Sequence, residues 1–492
     1  MYVLWLISTL FLGLAVAQWD PYTMHNRQVL VHLFEWRWVD IAAECERWLG
    51  PHGFAGVQVS PPNQHLELPP ERPWFERYQP IGYALHSRSG SPAEFKDMVS
   101  RCYKAGVRIY VDAVINHMAA SNPGGKDAWD FGLVPYSALD FNWPQGRCPT
   151  SGDIDYSNID SIRNCDLVGL KDLNVEKSYV QDKLAEYLNV LVDAGVAGFR
   201  IDAAKHMWPG DLDAVLKKVK NLNTAFGFPP NARPFIFQEV INQGGEVISS
   251  WEYRHLGRVT EFKYGTEVSL GFRGDKVLSH FDSFGEAWGF LPETAAVVFI
   301  DNHDNQRGHG GGGNIISHKA GRLYKMANAF MLAHPYGIVR VMSSFSFNDP
   351  DSSPPRDPQG NTLSPVINPD DTCGNGWVCE HRWRQIKNMV DFRNVVVGQP
   401  LTNWWDNGNH MIAFGRGDKG FIVINNEHGN LYETLQTGLP QGTYCNIYLG
   451  DFVHGMCTGP SVFVDYQGFA TFNIQGGGNE DPVVALHIRS KY

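Results

Sequence analysis

Short runs of apolar residues alternate with amphipathic segments from residue 28 to about residue 396. The runs have the length and the β-branched content of buried parallel strands. Between them, apolar positions recur at helical spacing, as for Val180, Leu184 and Leu188. The pattern predicts eight strands, at residues 28–34, 54–60, 107–115, 197–201, 235–240, 258–262, 295–300 and 337–342.

Amphipathic helices are predicted after these strands, and one of them has a distinct start. Ser91 and Glu94 form a capping box, and Pro92 occupies the first helical position. Eight β/α units in succession predict a (β/α)8 TIM barrel, built from residues 18–115 and 174–398. Further helices are predicted at residues 38–49, from residue 176, at residues 317–333 and at residues 382–396.

Two stretches depart from this alternation. Residues 116–173 are rich in Gly, Pro, Asp and Asn and show no clear helix, so we expect a functional insertion domain after the third strand. Residues 399–492 contain short strands, such as 412–414 and 420–424, separated by Gly and Asn turns. This pattern is typical of an antiparallel β domain, here expected to be a C-terminal β-sandwich.

The first residues predict a signal peptide. An apolar run ends at Ala15-Val16-Ala17, which places cleavage before Gln18 and assigns residues 1–17 to the signal. The alternative is a membrane anchor, but the run is short for a bilayer span, which needs ~20 apolar residues. We therefore expect a secreted, extracellular protein.

The net charge and the cysteine content indicate which partners and which cross-links the protein has. The formal net charge of -11 does not favour nucleic acid or an anionic membrane as partner. Eight cysteines in a secreted chain favour disulfides over metal thiolates. Eight cysteines allow 105 pairings. Proximity in sequence favours three local pairs and leaves a fourth, giving Cys148–Cys165, Cys373–Cys379, Cys445–Cys457 and Cys45–Cys102.

Polar residues follow four of the predicted strands, at the edge where barrel enzymes build their sites. A single such residue is as readily a helix cap or half of an ion pair. Several carboxylates converging on one rim instead suggest glycoside hydrolysis, which needs a protonated acid and an ionised partner. The residues are Asp112 near the end of strand three with Asn116 and His117 after it, Arg200 and Asp202 at the end of strand four, Glu239 at the end of strand five, and residues 301–305 after strand seven.

The blocks at residues 112–117, 198–206, 237–240 and 299–304 closely resemble those of the animal, chloride-dependent α-amylases of the (β/α)8 glycoside hydrolase family. The resemblance extends over essentially the whole mature chain. It implies endohydrolysis of internal α-1,4-glucosidic bonds in starch, glycogen and maltooligosaccharides by a retaining double displacement. Asp202 would be the nucleophile, Glu239 the general acid and then base, and Asp304 a group that binds sugar hydroxyls and helps to distort the ring.

The resemblance also implies a set of sugar-binding residues, although core or surface histidines are commoner and the aromatic side chains could instead form a cluster that pins a loop. Most animal relatives have Trp where this chain has Phe75, so we expect weaker stacking there. Arg200 is expected to keep Asp202 ionised. The implied substrate-binding residues are Trp74, Phe75, Tyr78, Asp112, His117, Tyr156, Arg200, Lys205, His206, Glu246, His303 and His309.

Two ions are implied by the same resemblance. One calcium would join the barrel to the insertion through Asn116, Arg163, Asp172 and His206, with Arg163 and His206 contributing backbone carbonyls. One chloride would be bound by Arg200, Asn302 and Arg340 and would offset the positive charge near Glu239, so that this acid keeps its proton. For Arg340 the alternative is an ordinary ion pair with a carboxylate at the rim.

Three functions remain open at this stage. The first is an endo-acting, digestive α-amylase that works as a monomer. The second keeps the fold and the retaining chemistry but acts as a maltase or transglycosylase. The third is a carbohydrate-binding protein without activity, against which the presence of Asp202, Glu239 and Asp304 argues.

Overall fold

The computed structural model describes residues 18–24, 26–121, 126–478 and 481–492. The expected signal peptide, residues 1–17, lies outside the described residues. Within the described ranges, no helix is both long enough and apolar enough to cross a membrane.

Eight parallel strands close into a barrel, as predicted, and two further strands form a ribbon in the insertion. Around the barrel the neighbours are β1, β2, β3, β6, β7, β8, β9 and β10, and β10 pairs with β1 to close it. The first ten strands are β1 (Val29–Leu33), β2 (Gly56–Val59), β3 (Arg108–Ala113), β4 (His117–Ala120), β5 (Leu170–Asp172), β6 (Gly198–Ile201), β7 (Phe235–Gln238), β8 (Arg258–Thr260), β9 (Ala296–Val298) and β10 (Ile338–Ser343).

Most barrel strands are shorter than the apolar runs that predicted them. The sixth run was expected to continue to Phe262, but β8 ends at Thr260. Glu261 accepts a hydrogen bond from the Lys263 amide at 3.2 Å and thereby caps a helix that begins at Phe262. An apolar residue at a strand end can therefore belong to the next helix, which periodicity alone does not distinguish.

Helices cover the outside of the barrel. The capping box at Ser91 is confirmed, because the Glu94 amide donates to its hydroxyl at 3.3 Å and Glu94 accepts from its amide at 2.8 Å. The helices of the barrel are α1 (Trp38–Glu44), α2 (Pro92–Lys104), α4 (Ser178–Asp193), α5 (Pro209–Lys218), α6 (Phe262–Arg273), α7 (Arg322–Ala333) and α8 (Arg384–Val395), and α3 (Ile159–Asn164) lies in the insertion.

The insertion after β3 contains more regular structure than its composition suggested. The expectation of no helix is wrong at α3, a six-residue helix whose first amides are capped by the Asn158 side chain. Strand β4 pairs with β5 and places His117 opposite Asp172. The ribbon therefore returns the end of the insertion to the rim of the barrel.

The remaining strands are short and antiparallel. Two of them, β11 (Val366–Ile367) and β12 (Cys373–Gly374), form a small ribbon before α8. In the C-terminal region β13, β14, β15 and β22 form one sheet, and β16–β21, β17–β20 and β18–β19 are two-stranded. These strands are β13 (Leu401–Asp406), β14 (Met411–Arg416), β15 (Gly420–Asn425), β16 (Leu431–Gln436), β17 (Gly442–Cys445), β18 (Phe452–Val453), β19 (Met456–Cys457), β20 (Ser461–Val464), β21 (Phe469–Ile474) and β22 (Val483–His487).

Four disulfides pair all eight cysteines, in the combination that proximity favoured. Cys45–Cys102 joins the end of α1 to α2, and the other three close short loops. The other pairs are Cys148–Cys165 in the insertion, Cys373–Cys379 before α8 and Cys445–Cys457 in the C-terminal region. Cross-links of this kind stabilise mainly by restricting the unfolded chain.

Candidate active site

A cavity of about 650 Å³ opens at the carboxyl ends of the barrel strands, between the rim and the insertion. Its lining includes most of the expected site residues. Two others, Asp112 and Arg200, lie beneath it and are fully buried. The expected residues that line it are Trp74, Phe75, Tyr78, His117, Tyr156, Asp202, Lys205, His206, Glu239, His303, Asp304 and His309.

A second cavity, of about 1050 Å³, lies between the loop after β2 and the segment before β12. Its lining is polar and includes Arg72 and Arg88. Both arginines are already engaged, since each lies within 3.4 Å of a Glu76 carboxylate oxygen. The smaller cavity, which gathers the carboxylates, is the candidate active site.

The floor of the active-site cavity is organised by Arg200 on β6. Its Nη1 donates to Asp112 at 2.5 Å and to Asp202 at 2.8 Å. Its Nη2 lies 2.7 Å from Oε1 of Glu239, an ion-pair distance at an angle that does not make a hydrogen bond. One buried guanidinium thus holds three carboxylates from three neighbouring strand ends.

Backbone geometry links the two main acids directly. Ala203, which follows Asp202, has φ of 49° in the left-handed region, which is unusual for a residue with a Cβ. Its amide donates to Oε2 of Glu239 at 2.8 Å. Strain of this kind persists where surrounding contacts enforce it, and here it orients a carboxylate.

The cluster has three carboxylates around one guanidinium, and this excess of negative charge affects the pKa of Asp202. Burial raises the pKa of Asp202 well above its ordinary value; Arg200 opposes this shift, and Glu239 and Asp112 add to it. Arg200 therefore acts in the expected direction but does not outweigh burial and two like charges. Three carboxylates around one guanidinium favour retention of a proton in the cluster.

Asp304 faces the same cavity from the loop after β9. Burial raises its pKa to about 7, and the charge of Glu239 adds to the shift. The ring of His303 stacks on Tyr78 with centroids 5.1 Å apart, and His303 Nε2 lies 3.4 Å from Asp304. Tyr78 in turn donates to Asp112 at 2.8 Å. Asp304 is thereby connected to the buried floor.

An aromatic wall forms one side of the cavity. Trp74 is fixed by a hydrogen bond from its Nε1 to the Pro350 carbonyl at 2.8 Å and by edge contact with Phe75 at 6.0 Å. Behind it lies Arg307, which sequence reasoning did not identify. Its guanidinium carbon lies 5.9 Å from the Trp74 ring centroid and 4.0 Å from that of Phe347. Arg307 Nη1 also donates to the His303 carbonyl, so this one side chain supports both the Trp74 ring and the backbone at His303.

The opposite wall comes from the insertion and the loops after β6 and β7. His206 is held by the Ile162 carbonyl at 2.9 Å, and Lys205 donates to the Ile241 carbonyl at 2.7 Å. Burial lowers the pKa of His206 to about 4, which favours its neutral form. Tyr156, which is 59% exposed, stands 6.5 Å from the His206 ring. Because this wall is partly open to solvent at Tyr156, it suits a long flexible ligand.

Two expected binding residues have other visible contacts. His309 pairs with Asp351 at 3.3 Å on the cavity rim. Glu246 does not line the cavity; it accepts from the amides of Gln243 and Gly244 at 2.7 and 2.8 Å and so closes a turn. Ala203, Gly310 and Gly311 also line the cavity, and further lining residues that the sequence analysis did not identify are Gln79, Ala120, Leu167, Val168, Leu170, Ile241 and Asp351.

Oxygen ligands gather where the insertion meets the barrel. A cavity of about 10 Å³ there is lined by Asn116, Arg163 and His206, three of the residues expected at calcium. The Oδ1 atoms of Asn142 and Asn174, in the same lining, are buried without a hydrogen-bond donor. The space is about that of one ion or water, and orphaned oxygens fit a hard cation.

The fourth expected calcium residue, Asp172, is also buried here. It accepts from Asn142 Nδ2 at 2.7 Å. Across the described residues, no group of three or more His, Cys, Asp or Glu side chains has the arrangement of a metal site. The expected ligand set contains one carboxylate, and its other ligands are amide and backbone oxygens.

Arg340 on β10 is buried near the Arg200 guanidinium. Among the described residues it has no carboxylate ion-pair partner; its Nη1 donates to Gln58 at 2.6 Å. Burial, followed by the charge of Arg200, lowers the pKa of Arg340 to about 10. Asn302 accepts from the amides of Asp304 and Asn305, which leaves its own amide group to donate. Two buried guanidiniums and an amide donor fit an anion.

Two family models match the chain. That described as "Alpha amylase, catalytic domain" matches residues 83–226, and that described as "Alpha amylase, C-terminal all-beta domain" matches residues 402–489. Among curated proteins, the chain is 55% identical to pancreatic alpha-amylase of Sus scrofa over 509 residues, covering 97% of this chain and 98% of the relative. It is 54% identical to alpha-amylase 2B of Homo sapiens over 510 residues, covering 98% of each.

Solved structures give the same picture. A point mutant of alpha-amylase I from Eisenia fetida, in complex with maltohexaose, superposes with a TM-score of 0.90 at 45% identity. The match covers 96% of this chain and 99% of that one, and the wild-type structure matches equally well.

Proposed function

We propose that this chain, which belongs to the α-amylase family, hydrolyses internal α-1,4-glucosidic bonds with retention. Asp202, Glu239 and Asp304 carry out this reaction in the 650 Å³ cavity. The observation that supports the assignment most is the shared guanidinium. Asp202 and Glu239 approach different nitrogens of Arg200 at 2.8 and 2.7 Å. This keeps them close together, as in retaining enzymes, whose carboxyl groups are about 5–5.5 Å apart.

The first step requires the proton of the cluster on Glu239 and an ionised Asp202. A carboxylate oxygen of Asp202 then attacks the anomeric carbon as the bond to the leaving oxygen breaks. Glu239 gives its proton to that oxygen, so the released chain ends in a hydroxyl. The product on the enzyme is a β-glucosyl ester of Asp202. The Ala203 amide, which donates to Oε2 of Glu239 at 2.8 Å, orients this carboxyl group in the cavity.

In the second step, Glu239 takes a proton from water, and the water oxygen attacks the anomeric carbon. The ester bond breaks and Asp202 leaves as a carboxylate, while Glu239 is again protonated. Two inversions give the α-anomer. Asp304, whose pKa burial raises to about 7, is placed to hydrogen-bond sugar hydroxyls beside the reacting ring.

Calcium and chloride belong to this proposal. Asn116, Arg163, Asp172 and His206 would hold one calcium, which would order the junction between insertion and barrel. Arg200, Asn302 and Arg340 would hold one chloride, which would relieve the repulsion between the two guanidiniums. Buried amide oxygens without a donor support the first assignment, and two buried guanidiniums, Arg200 and Arg340, support the second.

The substrates we propose are starch, glycogen and maltooligosaccharides, bound along the aromatic wall of Trp74 and Phe75. We also propose a monomeric, secreted digestive enzyme, without nucleic-acid or membrane partners. The four disulfides support secretion. The division into barrel (18–115 and 174–398), insertion (116–173) and C-terminal domain (399–492) is part of the same proposal.

The direct test is the anomeric form and the size of the first products from soluble starch, followed by NMR with and without sodium chloride. We expect α-anomeric oligosaccharides and a faster rate with chloride. Early release of β-anomers would contradict the double displacement. Release of glucose alone from a long blocked maltodextrin would favour the second candidate, a maltase.

A further inference from the structure

The short 3₁₀ helix in the loop after β2 has some side chains in the active-site cavity and others in the protein interior. Trp74, Phe75 and Tyr78 line the cavity. Glu76 and Arg77 do not line it, and both are fully buried. A buried charge is tolerated where it is paired and hydrogen-bonded. The aromatic wall is therefore anchored from behind by charged groups of its own helix.

Arg88 connects this helix to a distant part of the chain. Its Nη1 lies 3.4 Å from Oε1 of Glu76. Its Nε donates to the Thr362 hydroxyl at 3.1 Å, and its Nη2 donates to the Ser353 hydroxyl at 2.7 Å. Only 1% of its side chain is exposed. One buried guanidinium thus joins the loop after β2 to residues 349–362, which we call the rear segment.

The rear segment also carries the group that orients the Trp74 ring. Nε1 of Trp74 donates to the Pro350 carbonyl at 2.8 Å. A turn closes at this point, since the Ser352 amide donates to the Asp349 carbonyl at 3.1 Å. Pro350 lies in this turn and Ser353 directly after it, so a group that holds one of them also places the other.

Together these contacts form a closed circuit. It runs from Trp74 to the rear segment, through Arg88 to Glu76, and along the 3₁₀ helix back to Trp74. A guanidinium can close it because it has five donors in a fixed plane, whereas a lysine has one nitrogen. Arg72, whose carbonyl accepts from Arg88 at 2.7 Å, has φ of 50° in the left-handed region. Such strain persists where surrounding contacts enforce it.

Other contacts between the two parts of the chain are weaker. Arg356 of the rear segment donates to the Pro70 carbonyl at 2.7 Å, but this bond is exposed. An exposed bond competes with water, and ordering a long side chain costs entropy. The second cavity, of about 1050 Å³, lies between the same two parts, so packing does not hold them together there. The position of the rear segment therefore depends strongly on Arg88.

We propose that Arg88 is a positioning residue for substrate binding. It holds the rear segment against the loop after β2, so that Pro350 fixes the Trp74 ring in the cavity wall. Arg88 lines the second cavity and not the active-site cavity, so it affects the sugar only through that ring. The proposal rests on the proposed function in taking an α-glucan as the ligand of the wall. A ring that is not held must be ordered on binding, and this cost raises KM for ligands that reach it.

A double-mutant cycle between Arg88 and Trp74 tests this role. Arg88→Met removes the junction but leaves Glu76 paired with Arg72 at 2.9 Å, so no isolated acid is left buried. Trp74→Phe keeps a ring but removes the donor to Pro350. Steady-state kinetics give kcat and KM of each protein on a long maltooligosaccharide and on one too short to reach the wall.

We expect Arg88→Met to raise KM for the long substrate about fivefold, near the free energy of one aromatic contact, with kcat changed less than about twofold. KM for the short substrate should stay the same. In the Trp74→Phe background, Arg88→Met should have no further effect on KM. An equal increase with and without the indole would overturn the proposal, because Arg88 would then not act through that ring. A loss confined to kcat, or an unchanged KM, would also overturn it.

Arg233→Met is the matched control for stability. Arg233 donates to the Leu216 carbonyl at 2.6 Å and lines neither cavity. Its loss should lower the Tm and leave both KM values unchanged, which separates stability from positioning; a similar KM increase in this control would overturn the proposal.

If Arg88→Met does not fold, Ser353→Ala decides the question. It removes one acceptor of Arg88 and should raise KM for the long substrate about twofold; no increase would overturn the proposal. Calorimetry in an Asp202→Asn background measures the Kd of the long substrate without turnover. Failure of the proposed function would appear separately, as absent hydrolysis by the wild-type protein.

Discussion

Arg200 donates a 2.8 Å hydrogen bond to Asp202, two residues further along the same chain segment. Residues i and i+2 of a strand face the same side, so β6 delivers the cation and the acid to the cavity together. The same cation reaches Asp112 and Glu239. The active site is therefore a single electrostatic unit, and the effect of changing one member depends on the others.

Asp202→Asn should reduce kcat by about 10⁴-fold or more, because an amide cannot form the glucosyl ester. Binding of maltooligosaccharide should persist, since the aromatic wall is untouched. Steady-state kinetics on a chromogenic maltooligosaccharide measure the loss. Asp213→Asn, on the surface of α5, is the control and should keep wild-type kinetics. A near-wild-type rate for Asp202→Asn would remove it as nucleophile.

Much of this arrangement could be predicted from the sequence, because strand order and parity follow from the apolar pattern. Eight strands place Arg200, Asp202 and Glu239 at neighbouring ends of β6 and β7. The alternation of side chains along a strand does not, however, predict the backbone conformation of a single residue. The left-handed turn at Ala203, which directs an amide to Glu239, occurs at a residue whose type gives no signal for positive φ.

Arg307 was missed for a related reason. Its partners are rings from distant segments, including Phe347 after β10, and only the closed barrel brings them together. The length of the strands was also overestimated, since Phe262 continues the apolar run but begins α6. Sequence reasoning thus identified groups at strand ends and failed where a contact depends on loops packing against one another.

Asp304→Asn should raise stability at neutral pH relative to wild type. Burial raises the pKa of Asp304 to about 7, from an ordinary value of 3.8. Between these two values the folded state keeps a proton that the unfolded state has released. The free energy of unfolding therefore falls as the pH rises through this window.

Denaturant unfolding at pH 5 and pH 7.5, with calcium and chloride held constant, measures the effect. The gain of Asp304→Asn over wild type should be about 2 kcal/mol larger at the higher pH. Asp213→Asn should show no such dependence. An equal difference between the two proteins at both pH values would contradict the raised pKa of Asp304.

Arg340→Gln should make activity insensitive to chloride. The shorter amide removes one of the two buried guanidiniums whose repulsion an anion would relieve. The rate on soluble starch is compared in sodium chloride and in sodium acetate at equal ionic strength. Wild type should be activated by chloride and the variant should not. Chloride activation that survives in Arg340→Gln would exclude this residue as a ligand.

Chelation of calcium should lower the Tm of the wild-type protein by about 5–10 °C, because a ligand bound only to the folded state stabilises it by mass action. Asp172→Asn should have a lower Tm at the outset and respond little to chelator. Asp153→Asn, an exposed acid of the insertion, should respond like wild type. Differential scanning calorimetry with EGTA, followed by added calcium, provides the measurement. An unchanged wild-type Tm would argue against the site.

Phe75→Trp should strengthen substrate binding. Phe75 lines the cavity and meets Trp74 edge-on at 6.0 Å, and an indole there offers a larger face to a sugar ring. We expect KM for a maltooligosaccharide long enough to reach this wall to fall about two- to fivefold, with kcat nearly unchanged, since the contact exists before and during bond cleavage. Phe75→Leu should move KM in the opposite direction, and a substrate too short to reach the wall should show neither effect. An equal KM for all three proteins on the long substrate would mean that Phe75 only supports Trp74 and does not contact sugar.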